Sequence, residues 1–177
     1  MTATYSDHGL VWEPMSCEHG DEITARIQKV LESWRYTRYM AGQQTKGEKG
    51  VVDCVRFVFG VIDELYGRQF LPSPRLPQDT AWHSRRGAMK ALHTMRRIYG
   101  ASERVRRDRL QPGDVVITGP PGGGPGHAMI VGGRKNTLWH CVQNSGVCQT
   151  GIGFFNEQQR IFAVYRFSDR EGWAHVS

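Results

Sequence analysis

Cys54 is the residue around which chemistry can be built. It follows Asp53 at the head of the apolar segment Val51-Val-Asp-Cys-Val-Arg-Phe-Val-Phe-Gly-Val-Ile-Asp-Glu-Leu-Tyr66. The first turn of a helix carries partial positive charge and free N–H groups, which favour thiolate over thiol. The same N–H groups can stabilise the oxyanion formed when a carbonyl is attacked. The plainer reading is a small buried hydrophobe, since free cysteine is among the most buried residue types. A nucleophile also needs a base, and His127 is the candidate among seven histidines. It opens an alternating stretch directly after Gly119-Pro-Pro-Gly-Gly-Gly-Pro-Gly126, where bulky neighbours are few. A surface loop histidine is the ordinary alternative. His140 lies on the next alternating stretch and shares a face with Leu138 and Val142. If the two stretches pair as a hairpin, both imidazoles reach one face and His140 can orient His127, as the third group of a triad does.

These side chains need elements to hold them. Cys54, Phe57, Val58, Val61, Ile62 and Leu65 recur at the three- and four-residue spacing of one buried helical face. Asp53 suits the N-cap, Gly67 the stop, and Pro72, Pro74 and Pro77 keep the helix from resuming. A helix is also predicted over Ile23–Trp34, after an irregular stretch at residues 1–20, and a basic one over residues 80–100 with Trp82, Met89, Leu92, Met95 and Ile98 apolar. The period then changes to two. Strands are predicted at 114–118, 127–131, 137–142 and 161–167. Helices first and consecutive strands afterwards argue an α+β class with an antiparallel sheet.

Composition narrows the rest. The 177 residues suit one domain, and 39% hydrophobic content is too high for a disordered chain. No apolar run approaches the ~20 residues of a membrane span. The first residues lack the basic start and apolar block of a secretory signal, so the thiols are expected to stay reduced. Cys17, Cys54, Cys141 and Cys148 are too few for a disulfide scaffold, and Cys141 and Cys148 stand too far apart for a zinc knuckle. Neither a metal nor a cofactor is expected. The glycine-rich loop 119–126 lacks the Gly-Lys-Ser/Thr ending of a phosphate loop and precedes a strand, so it is expected to border a cleft or form a flap. The net charge of +6 concentrates between Arg85 and Arg109, where Glu103 and Asp108 are the acids. A solvated helical face is the ordinary reading, and no nucleic-acid motif accompanies the run.

Three blocks resemble those of the NlpC/P60 cysteine peptidases. They are Gly50-Val-Val-Asp-Cys54-Val-Arg-Phe-Val58, Gln111-Pro-Gly-Asp-Val-Val116 and Gly126-His-Ala-Met-Ile-Val-Gly132, in that family's order. Trp34-Arg-Tyr-Thr-Arg-Tyr-Met-Ala-Gly42 is similar to the aromatic segment that precedes the nucleophile. The lysine-glycine loop, the Leu-Tyr-Gly helix end and Ala163-Val-Tyr-Arg-Phe167 resemble the cell-wall peptidases of phage and gene-transfer-agent tail tips. Here the nucleophile is followed by Val55 and Arg56, and two valines rather than one separate Gly50 from Asp53. The resemblance spans about residues 30–167 of a single domain, 1–177. It implies a papain-like NlpC/P60 fold and hydrolysis of peptide or amide bonds in peptidoglycan. It assigns Cys54 as nucleophile, His127 as base and His140 as orienter, with Asp53, Tyr36 and Tyr39 shaping the site and the oxyanion hole. The implied partners are peptidoglycan and tail-tip or hub proteins of a phage-like particle, without a membrane span or nucleic acid. The implied location is the virion tail tip, after synthesis in the host cytoplasm. For such an enzyme the arginine run suits anionic wall polymers or an acidic patch on a neighbouring tail protein. A structural tail protein that keeps the fold is the alternative, as is a related amidase or acyltransferase.

Overall fold

In the computed structural model, residues 10–41, 45–67, 102–120, 122, 126–158, 160–168 and 170–175 are described. The basic helix predicted at 80–100 and half of the 119–126 loop fall outside these residues. The elements are α1 (Gly20–Ser33), β1 (Arg38–Tyr39), β2 (Val51–Val52), α2 (Cys54–Leu65), β3 (Ser102–Arg104), β4 (Val115–Gly119), β5 (His127–Val131), β6 (Thr137–Val142), β7 (Gly146–Gly151), α3 (Ile152–Gln158) and β8 (Arg160–Phe167), closed by a 3-10 helix at Arg170–His175. Six strands form one sheet in the order β3-β8-β4-β5-β6-β7, with every neighbouring pair antiparallel. The class is α+β.

Alternation along the strands divides the core in two. Ala128 and Ile130 of β5, with Trp139 and Cys141 of β6, pack under α1 and α2. Met129, Val131 and Leu138 point to the other face, where Leu10, Ile152 and Phe155 cover them. Residues 10–13, expected to be irregular, run beside 107–110. There Val11 N–H donates to Arg107 O at 3.0 Å, and Leu110 N–H donates to Val11 O at 2.7 Å.

The apolar periodicity of α2 shows one buried face, but the helix is buried almost all round. Only Glu64 of its twelve residues is not buried. The sheet lies on one side and α1 on another, with Trp34 meeting Phe57 edge-on at 5.7 Å. Polar Arg56 and Asp63 are buried too, which a count of apolar positions does not register. The helix also starts later than the apolar segment. Val51 and Val52 form β2, which pairs in parallel with β1 through Arg38 N–H to Gly50 O and Met40 N–H to Val52 O, both 3.0 Å. Gly146, at φ +67°, brings β7 against the Thr37 backbone, and Val147 N–H donates to Thr37 O at 2.8 Å. The chain entering α2 is therefore tied through β2 and β1 to the sheet edge.

The Gln111-Pro-Gly-Asp turn is a structural knot. Asp114 is fully buried and accepts Gln111 N–H at 2.8 Å. Its carboxylate also receives Arg166 Nε at 2.9 Å, Arg166 Nη2 at 2.8 Å and Arg170 Nη1 at 3.3 Å. Gly113 has φ +83°, and a Cβ there would stand 2.7 Å from the Trp173 ring, so this position needs glycine twice over. Removing one partner of a buried ion pair leaves uncompensated charge. Asp114→Ala is expected to lower unfolding free energy by ~3 kcal/mol, as buried pairs do when broken from one side. Urea unfolding measures this, and a loss under about 1 kcal/mol would mean that both arginines regain water freely.

Candidate active site

Asp53 stands at the N-cap of α2 in extended conformation and accepts Arg56 N–H at 2.8 Å. Its other oxygen accepts the Arg56 guanidinium, and both side chains are buried. Cys54 is thus held as the first helical residue, 5% exposed. The backbone amides of Ala128, Val55 and Cys54 itself favour the thiolate, with Ala128 contributing most. The Ala128 contact has a topological cause. β5 and β6 pair through Ile130↔Trp139 and Val131↔Leu138, and the ladder carries no pair from His127 to Met129. The N–H groups of odd-numbered β5 residues serve β4, as Val131 N–H does toward Asp114 O at 2.9 Å. That of Ala128 therefore faces the opening, where the Cys54 sulfur meets it.

On the other face of the same opening, His127 Nε2 and His140 Nδ1 are 2.9 Å apart, with the rings edge-on at 77°. His140 Nε2 continues to Thr150 Oγ1 at 2.8 Å, with Cys148 Sγ at 3.6 Å. Phe155 of α3 stands edge-on to His140 at 5.2 Å. The structure thus brings the two predicted histidines together as the alternation implied. It brings Cys54 to the main chain beside His127, but among the described residues no hydrogen bond joins its sulfur to an imidazole. Tyr39 is half-buried near Cys54, Asp53 and Cys141, and burial, then the charges of those three groups, pushes its hydroxyl up to about 12. Tyr36 is 69% exposed at φ +72°, away from the core.

Burial governs the titration of the site. It pushes the Cys54 thiol up to about 11; the Ala128 N–H opposes this, and the Asp53 carboxylate adds to it. Burial, and then His140, pushes His127 down to about 3. Burial alone takes His140 down to about 4. The site therefore holds a neutral thiol beside two neutral imidazoles. Among the described residues there is no group of three or more His, Cys, Asp or Glu arranged to hold a metal ion, and no helix long and apolar enough to cross a membrane.

The sequence reading missed Thr150, Cys148 and Phe155 because it predicted neither β7 nor α3. The signal was there for β7: Asn144-Ser145-Gly146 is a turn composition, and the six residues from Gly146 to Gly151 pair in register with β6, which sets His140 opposite Cys148.

No protein-family model matches the chain, and no curated protein does. Among solved structures it is similar to the crystal structure of the NlpC/p60 domain of the peptidoglycan hydrolase SagA, at 20% identity and a TM-score of 0.48, over 81% of this chain and 97% of that one.

Two outcomes follow from the titration. Neutral buried histidines stabilise the fold fully above their unfolded pKa near 6.5, and that contribution is lost as pH falls toward about 4 for His140 and about 3 for His127. Unfolding free energy should decline from pH 6.5 downward and decline less steeply in His140→Phe; parallel slopes would contradict the assignment. Alkylation of Cys54 by iodoacetamide should be slow at pH 7 and still rising at pH 10. A plateau below pH 7 would instead reveal a resting thiolate–imidazolium pair.

Proposed function

We propose that this protein is a thiol hydrolase cleaving peptide or amide bonds of peptidoglycan stem peptides, carried at the tail tip of a phage-like particle. The supporting observation is the position of Cys54. It is the capped first residue of α2, where backbone amides favour its thiolate, at the strand opening that His127 and His140 share. In this reaction His127 takes the Cys54 proton as the sulfur attacks the amide carbonyl. The oxyanion draws on backbone N–H groups at the start of α2, such as that of Cys54. The C–N bond breaks, and the leaving amine takes its proton from His127. Water then attacks the thioester, gives a proton to His127, and releases the carboxylic acid as Cys54 recovers its own. His140 holds the His127 ring throughout.

The wall substrate and the tail-tip location rest on the resemblance of the three sequence blocks and of the Ala163–Phe167 segment. One observation favours a second reading, a structural tail-tip protein with little catalysis: at rest the thiol is neutral and unbonded to imidazole. Incubation of purified protein with peptidoglycan, followed by mass spectrometry of released fragments, separates the two. Wild type is expected to release stem-peptide fragments, with Cys54→Ala at background and His127→Ala at least ~100-fold slower, the usual scale for losing a general base. Background release by all three, from a wild type verified as folded, favours the structural reading.

A further inference from the structure

The imidazole pair does not end at His140. In a neutral ring only one nitrogen carries hydrogen. The 2.9 Å contact between His127 Nε2 and His140 Nδ1 therefore needs the proton on one side alone. Two arrangements satisfy it. In the first, Thr150 donates its hydroxyl to His140 Nε2, His140 Nδ1–H donates to His127, and the hydrogen of His127 sits on Nδ1, so that the free nitrogen is gone. In the second, every proton points the other way: His127 Nε2–H donates to His140 Nδ1, and His140 Nε2–H donates to Thr150 Oγ1. Nδ1 of His127 is then a bare lone pair.

The surroundings of His140 Nε2 favour the second arrangement. Two heteroatoms converge there, Thr150 Oγ1 at 2.8 Å and Cys148 Sγ at 3.6 Å. One N–H can be shared by both as acceptors, whereas one lone pair serves two donors poorly. Both residues come from β7, where their side chains alternate onto the face that His140 occupies. Both rings are neutral at pH 7, which makes the tautomer, rather than the charge, the variable that this contact sets.

We propose that Thr150 is a positioning residue: by accepting the His140 Nε2 proton it holds the two-histidine relay in the direction that leaves His127 Nδ1 free to act as base. This rests on the hydrolase reading for its use, but not for its test. Long-range 1H–15N spectra of histidine-labelled protein at pH 7 report which ring nitrogen carries hydrogen. Wild type should show His127 and His140 both protonated at Nε2. Thr150→Val keeps the shape and removes the acceptor, so the spectra should shift toward Nδ1–H at His127, while Thr150→Ser should keep the wild-type pattern. With stem peptide as substrate, Thr150→Val should lose roughly tenfold or more in kcat with KM unchanged, and Thr150→Ser should recover it. Nδ1–H at His127 in wild type, or a wild-type pattern in a folded Thr150→Val, overturns the proposal. If the tautomers behave as stated while wild type cleaves nothing, the relay stands and the hydrolase reading falls.

Discussion

A helix buried all round its first turns has nowhere to send its first N–H groups except into the protein, and α2 is such a helix. Exposed helices leave these groups to water; here that would strand buried donors, each costing about 1–3 kcal/mol. Asp53 meets the requirement by capping Arg56 N–H, and its charge is met in turn by the Arg56 guanidinium. The residue next to a cap of this kind has little choice of position. Cys54 is held where the β5–β6 ladder stops, and its sulfur takes the place of a missing strand partner for Ala128. The short parallel pairing of β1 with β2, tied to β7, fixes the approach of the chain to the same point.

That placement has an electrostatic consequence. Removal from water disfavours the charged form of every group, so the burial that aims the thiol and imidazoles also drives their pKa values apart, toward about 11 and about 3. A resting ion pair is not stable in such surroundings. Chemistry must begin from the neutral pair, with the proton moving as the carbonyl is attacked. In that regime the base nitrogen has to carry a lone pair beforehand, and so the hydrogen-bond direction along His127, His140 and Thr150 matters more than any charge in the site.

Much of this was legible in residue order. Asp53 before an apolar three-four repeat reads as cap and helix, and Cys54 follows as its first residue. The period-two stretches containing His127 and His140 put both rings on one face, as the 2.9 Å contact shows. What escaped did so for physical reasons. β1 and β2 are two residues each, too short to show a period. The burial of Arg56 is a tertiary fact that no local pattern encodes. β7 is bounded by Gly146 and Gly151 and carries polar Gln149 and Thr150, which disguises an edge strand as a loop. Its contribution to the site was lost with it.

The ionisable residues of the core divide by how they solve the same problem. Asp53 with Arg56, and Asp114 with Arg166 and Arg170, set each buried carboxylate against a bonded counter-charge. The Gln111-Pro-Gly-Asp and Ala163–Phe167 blocks, far apart in the chain, are one structural unit for this reason. Cys54, His127 and His140 have no such partners and are carried neutral. Neutral burial costs far less than burial of an isolated charge. It also leaves the thiol and the imidazoles able to gain or lose a proton when a substrate brings its own dipoles. The fold spends its counter-charges on architecture and withholds them from the thiol and the imidazoles.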